Sequence, residues 1–280
     1  MAAGEPVLVA VSRRKAKLVR DELNGEAEAV YFVDMPRLGR NPARIISAWR
    51  DFVGEHLAND APVRGIGEPI WPGRSDAELV ECQRHEWLLN LAFAEAPAWW
   101  LMCPYDAAAL DGEILEEAKV THPYIADGAG SRESDRYRDP MSSPDPFHEQ
   151  LPLPAEEPEE LVFSLHDLGA VRRLVSHYAS AANLENTRRE DLQVAVNEVA
   201  TNSVRHGGGL GTLSVWVDED ALLCEVRDTG CIDDPLVGRE RPPAARPDGR
   251  GLWLMNQLCD LAQVRSQPHG TAVRLQMNLN

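Results

Sequence analysis

The sequence predicts two unlike domains in one chain: an N-terminal α/β domain built on a parallel sheet and a C-terminal α+β domain. Three observations predict this. Over residues 1–130, continuous apolar runs alternate with amphipathic stretches. Residues 131–160 are proline-rich and acidic with no apolar period. From residue 161 onward, helical stretches and paired strand patterns replace the alternation. Strand and helix in alternation argue a parallel sheet with helices on its faces, whereas segregated helices and hairpins argue a sheet, expected to be mixed, covered on one face.

In order along the chain, VLVAV (7–11) and AVYFVDM (29–35) are apolar runs of the kind expected for strands buried on both faces. The segment 41–57 opens with Asn41 as N-cap and Pro42 at the first helical position, and Ile45, Ile46, Trp49, Phe52 and Val53 form one apolar stripe. VRGIGEPIW (63–71) is a third strand that Pro69 interrupts near its end. The segment 75–96 starts with Ser75 and has Glu78 three residues on, a capping box that predicts a long helix. AWWLMC (98–103) is a fourth strand and 111–120 a further helix. After the linker come a strand at 161–165, helices at 167–184 and 190–206, and strands at 211–219 and 221–230. A helix at 251–260 and strands at 262–267 and 271–279 close the chain.

Composition limits the function. Hydrophobic residues make up 44% and charged residues 26% of the 280, enough for real cores. The formal net charge of −17 repels nucleic acid and anionic membrane, so no direct nucleic-acid or membrane partner is expected and a basic protein surface is. No apolar run reaches a membrane span and the N-terminus lacks the order of a signal peptide, so a cytoplasmic location is the expectation. Five scattered cysteines fit reduced thiols.

The stretch VAVNEVATNSVRHGGG (194–209) reads as a helix that stops on glycines and carries Glu198 and Asn202 on one face, four residues apart. Such a pair alone is as compatible with a solvated surface as with a site. Three later features accompany it: Asp228 and Gly230 at the end of a strand, Gly249 and Gly251 at the start of a helix, and Thr271 at the start of a strand.

That ordered set resembles the GHKL ATPases, which include gyrase B, Hsp90 and histidine kinases, and more closely the bacterial anti-sigma-factor kinases. The resemblance covers about 120 residues and implies a Bergerat-type sandwich that binds ATP and Mg²⁺. It implies that Asn202 ligates Mg²⁺ bridging the ATP phosphates and that Glu198 is the base activating the attacking hydroxyl. It further implies that Asp228, supported by Thr271, accepts from the adenine amino group, and that Gly230, Gly249 and Gly251 let backbone approach the nucleotide. These residue types suit the roles: Mg²⁺ takes oxygen ligands, a base must reach its hydroxyl, and a helix N-terminus binds phosphate. Ile232 and Leu254 stand where many members carry further glycines, and the lid-like segment between Gly230 and Gly249 carries Arg239, Arg241 and Arg246.

The implied partners are an alternative sigma factor, which the domain sequesters, and an anti-anti-sigma factor, which it phosphorylates on serine. Arg172 and Arg173, in the helix where related kinases use a surface arginine, are the partner-binding candidates, and relatives often form homodimers. Two alternatives stay open: a sensor histidine kinase, for which His85 in QRHEWLLN (83–90) is the candidate phosphoacceptor, and an ATPase-like module that binds no nucleotide.

The N-terminal domain resembles the MEDS sensory domain through GEPIWPGR (67–74), ECQRHEWLLN (81–90), CPYD (103–106) and THP (121–123). The likeness implies a Rossmann/RecA-like core, but VSRRKAKL after the first strand has no phosphate-binding glycine, so NTP hydrolysis there is not expected. Parallel sheets take ligands at the carboxyl ends of their strands. Arg13, Glu68, Cys103, Tyr105 and Asp106 at those ends are therefore candidates for a pocket sensing a small-molecule or redox signal. Cys82, His85, Cys103 and His122 are a candidate metal or redox set.

Overall fold

The computed structural model describes residues 5–56, 62–96, 99–128, 130–218, 220–243 and 249–279. The chain divides into two compact units, Met1–Phe147 and His148–Asn280.

In the first unit β1 (Val7–Val11), β2 (Val30–Asp34), β3 (Val63–Gly67) and β4 (Trp99–Met102) form a wholly parallel sheet in the order β2-β1-β3-β4. Parallel neighbours need crossovers, which α1 (Arg13–Leu23), α3 (Ile45–His56) and α4 (Asp76–Ala92) supply. The order reverses direction between β1 and β3, so the crevice beyond their carboxyl ends is the topological switch point where such sheets take ligands. Asn41 accepts from Ala43 N at 3.2 Å ahead of α3. Trp49 of α3 is 2% exposed and lies over Gly65 and Gly67, where any side chain on β3 would collide with its indole. Ser75 and Glu78 form the expected capping box of α4. That helix is buried on all sides from Glu81 to Leu89, polar residues included, which an ordinary surface helix is not.

Some elements of this unit carry little sequence signal. Helix α1 buries only Ala16 among its charged neighbours, and α2 is the four-residue Met35–Leu38. After α5 (Gly112–Thr121), the hairpin β5 (Tyr124–Asp127) and β6 (Gly130–Glu133) is almost wholly exposed and falls at the start of the proline-rich stretch. Further along that stretch, Asp145 pairs with Arg84 of α4 at 2.8 Å and Phe147 is buried.

The second unit is a five-stranded sheet of order β10-β11-β9-β8-β7, from β7 (Glu159–Phe163), β8 (Gly211–Asp218), β9 (Ala221–Asp228), β10 (Leu261–Gln267) and β11 (Gly270–Asn278). All four neighbouring pairs are antiparallel, where a mixed sheet was expected. The reason is connectivity. Two helices, α6 (Leu168–Ala181) and α7 (Asn186–His206), separate β7 from β8, and each reverses the chain. The single helix α8 (Arg250–Leu258) returns β10 parallel to β9, but β11 inserts between them.

All three helices lie against one face of this sheet. Val171, Val175 and Ala179 of α6, Leu192, Val196 and Val199 of α7, and Met255 of α8 meet Leu213, Val215, Cys224, Val226, Val273 and Leu275 in one core. The strand members recur every second residue, as the pleat requires. The opposite face carries charged and polar residues beside a small apolar cluster of Trp216, Ala221 and Leu223, and the chain just before β7 crosses it. Arg274 donates to Glu225 at 2.8 Å and to Pro152 O at 2.7 Å, while Arg265 donates to Glu149 O at 2.9 Å. No helix among the described residues is long and apolar enough to cross a membrane.

Candidate functional site

Helix α7 carries Glu198 and Asn202, both half-buried, on the face that meets the start of α8. A methyl group on Gly251 would lie 2.7 Å from Glu198 Oε2 and 3.3 Å from Asn202 Nδ2. A side chain there would press on both residues and make the Glu198 carboxylate shift. Gly249, the N-cap, has φ +86° and gives the helix it precedes no side-chain cap. A carboxylate beside such a helix start is favoured by the helix dipole.

The glycines that end α7 have a second role. A Cβ on Gly207 would lie 2.3 Å from Asp228 Cγ, and one on Gly230 would lie 2.7 Å from His206 O and 2.8 Å from Gly207 Cα. The end of α7 and the end of β9 therefore touch backbone to backbone. Thr229 Oγ1 donates to Gly207 O at 3.0 Å and Gly230 N donates to Asp228 Oδ1 at 2.8 Å. Thr271 of β11 stands opposite Asp228 in register and donates to Gly230 O at 2.9 Å. Ser266 of β10 completes this group, 2.9 Å from Thr271 Oγ1 and 2.6 Å from Ile232 N.

The structure thus gathers the sequence-predicted residues into two adjoining groups. One is Glu198, Asn202, Gly249 and Gly251, where α7 meets α8. The other is Asp228, Gly230 and Thr271, where α7 meets β9. Sequence reasoning did not single out Gly207 or Ser266. Gly207 carried a signal in the triple glycine after the helix, whereas Ser266 carried none. In the segment between β9 and α8, Gly238 O accepts from Asn256 at 2.8 Å, Arg239 is buried, and Arg241 lies over the Trp253 ring at 5.9 Å. Arg246 lies outside the described residues.

Arg172 and Arg173 are both exposed on α6. Arg172 donates to Asn197 of α7 at 2.8 Å, and Arg173 reaches back over Gly169.

In the first unit Arg13 pairs with Asp34 at the end of β2 at 2.7 Å, and Lys15 pairs with the buried Glu68 just beyond β3, at the switch-point crevice. Asp106 accepts from Ala108 N at 3.2 Å and so closes a turn. Cys103 and Tyr105 belong to a different group, around Glu86 of α4, to which the Tyr105 hydroxyl donates at 2.5 Å. Burial pushes the Glu86 carboxyl and the Cys103 thiol up, and burial with the Glu86 charge pushes the Tyr105 phenol up. His85 is 2% exposed within α4.

The sheet with helices on one face, and the glycine-lined meeting of α7, α8 and β9, define a domain of the histidine-kinase-like ATPase class. A family model described as "Histidine kinase-like ATPase domain" matches residues 161–277, and one described as "MEthanogen/methylotroph, DcmR Sensory domain" matches residues 1–123. The anti-sigma F factor of Clostridium acetobutylicum is 30% identical over 105 residues, covering 34% of this chain and 73% of that protein. The serine-protein kinase RsbW of Bacillus subtilis is 31% identical over 128 residues, covering 40% of this chain and 79% of that protein. The chain belongs, through its second unit, to the family of anti-sigma factors and serine-protein kinases that these relatives represent. A solved structure of the RsbU and RsbW domains of a Mycobacterium tuberculosis protein is 16% identical with a TM-score of 0.32, over 43% of this chain and 32% of that one.

Proposed function

We propose that the second unit binds Mg·ATP, captures an alternative sigma factor, and phosphorylates an anti-anti-sigma protein on serine, with the first unit sensing the signal that sets the balance. The observation that carries this reading is the close approach of Gly251 to Glu198 and Asn202, with Asp228 held against Gly207 on the other side of the α7 terminus. This arrangement fits a nucleotide. It offers a helix start for phosphate, an amide for a hard cation and a carboxylate for the adenine end.

ATP supplies the phosphoryl group. Asn202 would hold the cation with its amide oxygen. Glu198 takes the proton of the serine hydroxyl as it attacks, because a carboxylate one helical turn from the metal ligand is close enough to reach it. Asp228 fixes the base of the nucleotide, and the Thr271–Ser266 pair keeps the backbone around Gly230 in place. The histidine-kinase alternative needs a reachable phosphoacceptor, and the burial of His85 speaks against it.

Calorimetry of the full chain with Mg·ATP tests the binding step. Asp228→Asn should weaken binding by about 1–3 kcal/mol, the worth of a hydrogen bond in a partly buried site. No heat from the folded parent at near-saturating nucleotide would leave an ATPase-like module that binds proteins only.

The partner face is proposed on α6. Of the two arginines, Arg172 is already engaged by Asn197, so Arg173 is the one placed to pair with a partner's carboxylates. Arg173→Glu should slow capture of the sigma factor in surface-binding kinetics and leave ATP binding intact, since a rim charge acts mainly on encounter. Full sigma binding by both Arg172→Glu and Arg173→Glu would put the docking face elsewhere.

A further inference from the structure

The first unit gathers three different metal-ligating side chains at one point. Glu86 comes from the middle of α4, Cys103 from just beyond β4, and His122 from just beyond α5, and one ligand atom of each lies within 4.8 Å of the other two. This differs from the set suggested by sequence spacing. Cys103 and His122 are present, but Cys82 and His85 are replaced by Glu86. Cys82 instead points at Pro69 O, 3.4 Å away.

Glu86 and His122 are each held so that one donor atom faces the group. Glu86 is 2% exposed, its Oε2 accepts from Tyr105 at 2.5 Å and Thr121 at 3.4 Å, and its Oε1 has no hydrogen-bond partner. A buried carboxylate oxygen left this way is costly unless something else faces it. His122 Nε2 lies 4.0 Å from it, too far for a hydrogen bond. The other ring nitrogen, Nδ1, lies 2.8 Å from Ala118 O and 2.9 Å from Thr121 Oγ1. A carbonyl can only accept, so Nδ1 carries a proton, and in the neutral ring Nε2 then presents its lone pair toward Glu86. Histidines that bind metal are commonly oriented in this way, by a carbonyl or carboxylate on the far nitrogen. Asn90 donates to both Glu86 O and Thr121 O, at 3.0 and 2.8 Å, tying the α5 terminus that carries His122 to α4.

We propose that Glu86, Cys103 and His122 form a zinc site with one coordination position left open. Sulfur, nitrogen and a single carboxylate oxygen suit Zn²⁺ and are a poor set for Mg²⁺ or Ca²⁺. Tetrahedral Zn²⁺ with bonds of about 2.0–2.3 Å separates its ligands by about 3.5 Å. The three donors therefore need to close in by roughly an ångström, within the reach of side-chain rotation. Binding releases the thiol proton, and any proton on the carboxyl, to solvent. The site lies at the carboxyl end of a parallel strand, where a fourth ligand can enter. That gives the first unit a chemically defined place to take a small donor molecule such as a thiol, an alcohol or a carboxylate.

The test uses the full chain stripped with a chelator and titrated with Co²⁺ as a spectroscopic stand-in. One equivalent of Co²⁺ should give a thiolate charge-transfer band in the near ultraviolet and intense visible bands of tetrahedral geometry, and Zn²⁺ should displace both. Cys103→Ser should abolish the charge-transfer band, and His122→Ala the tetrahedral spectrum. Tyr105→Phe, which removes only a support of Glu86, should lower Co²⁺ affinity by about tenfold or more. Absence of the bands in the parent, or the same bands in Cys103→Ser, overturns the proposal. Should the variants not fold, alkylation mass spectrometry of the unmutated chain decides. Zn²⁺ should protect Cys103 while the exposed Cys231 keeps reacting, and equal Cys103 rates with and without Zn²⁺ overturn the site.

Discussion

Replacing Glu198 by alanine should leave Mg·ATP affinity nearly unchanged while phosphate transfer to the anti-anti-sigma protein falls by about 10²-fold or more. The separation follows from position. Glu198 Oε2 lies against Gly251 at the start of α8, and in the proposed mechanism its carboxylate would act on the incoming hydroxyl and hold no part of the nucleotide. Glu198→Gln is the sharper control, because it keeps the side-chain shape against Gly251 and removes only the basicity. The measurement is single-turnover transfer of labelled phosphate to the partner that co-purifies with the chain, alongside calorimetry of both variants. Transfer at the parent rate in Glu198→Gln would remove this residue from the chemistry.

The second large effect is on stability and lies on the opposite face of the same sheet. Glu225 is 2% exposed and receives Arg274 at 2.8 Å and Arg227 at 2.5 Å, with Arg274 itself only 6% exposed. Removing one member of a buried pair strands the other charge, so Glu225→Ala should destabilise the second unit by about 3–5 kcal/mol. This is a large part of the roughly 5–15 kcal/mol typical of a domain. Replacing Glu225 and its buried partner, Glu225→Leu with Arg274→Met, should recover most of the loss, because no buried unpaired charge remains and Arg227 is half exposed to solvent. Urea unfolding of the second unit reads both. A Glu225→Ala midpoint equal to the parent's would mean that the pair is solvated in solution. Arg274 also donates to Pro152 O, so Glu225→Ala should in addition loosen the chain ahead of β7, visible as faster amide exchange over residues 148–155.

Elements with strong periodicity were legible before the fold was. VLVAV became β1 with its expected limits, Ser75 and Glu78 capped α4 as a box, and Asn41 caps the turn that opens into α3. Helix α1 was not legible, since its charged residues hide a stripe that amounts to one buried alanine. The hairpin β5–β6 was not legible either, because its exposed strands carry no alternation of apolar and polar residues. The all-antiparallel pairing of the second sheet depends on counting helices between strands and on β11 inserting between β9 and β10, and the second of these is not written in any local pattern.

What the sequence by itself determined are properties of single segments: which stretches are strands or helices, where helices begin, and which chemical groups lie one helical turn apart. Glu198 and Asn202 share a face because helix geometry puts them there, whatever surrounds the helix. The tertiary structure alone decided which segments meet. Gly207 and Gly230 are glycines because α7 and β9 touch there, and Gly251 because α8 comes down on Glu198 and Asn202. In the first unit it decided that Cys103 and His122 join Glu86, while Cys82 and His85, close to Glu86 along the helix, stay out of the group. The physical reason is directional. On α4, Cys82 shares a face with Glu86 but lies one turn back along the axis and meets Pro69 O, and His85 projects about 100° around the axis from Glu86, so closeness in sequence does not put them on one point in space. Only the packing of β4 and α5 against that helix selects which side chain faces the cysteine and the histidine.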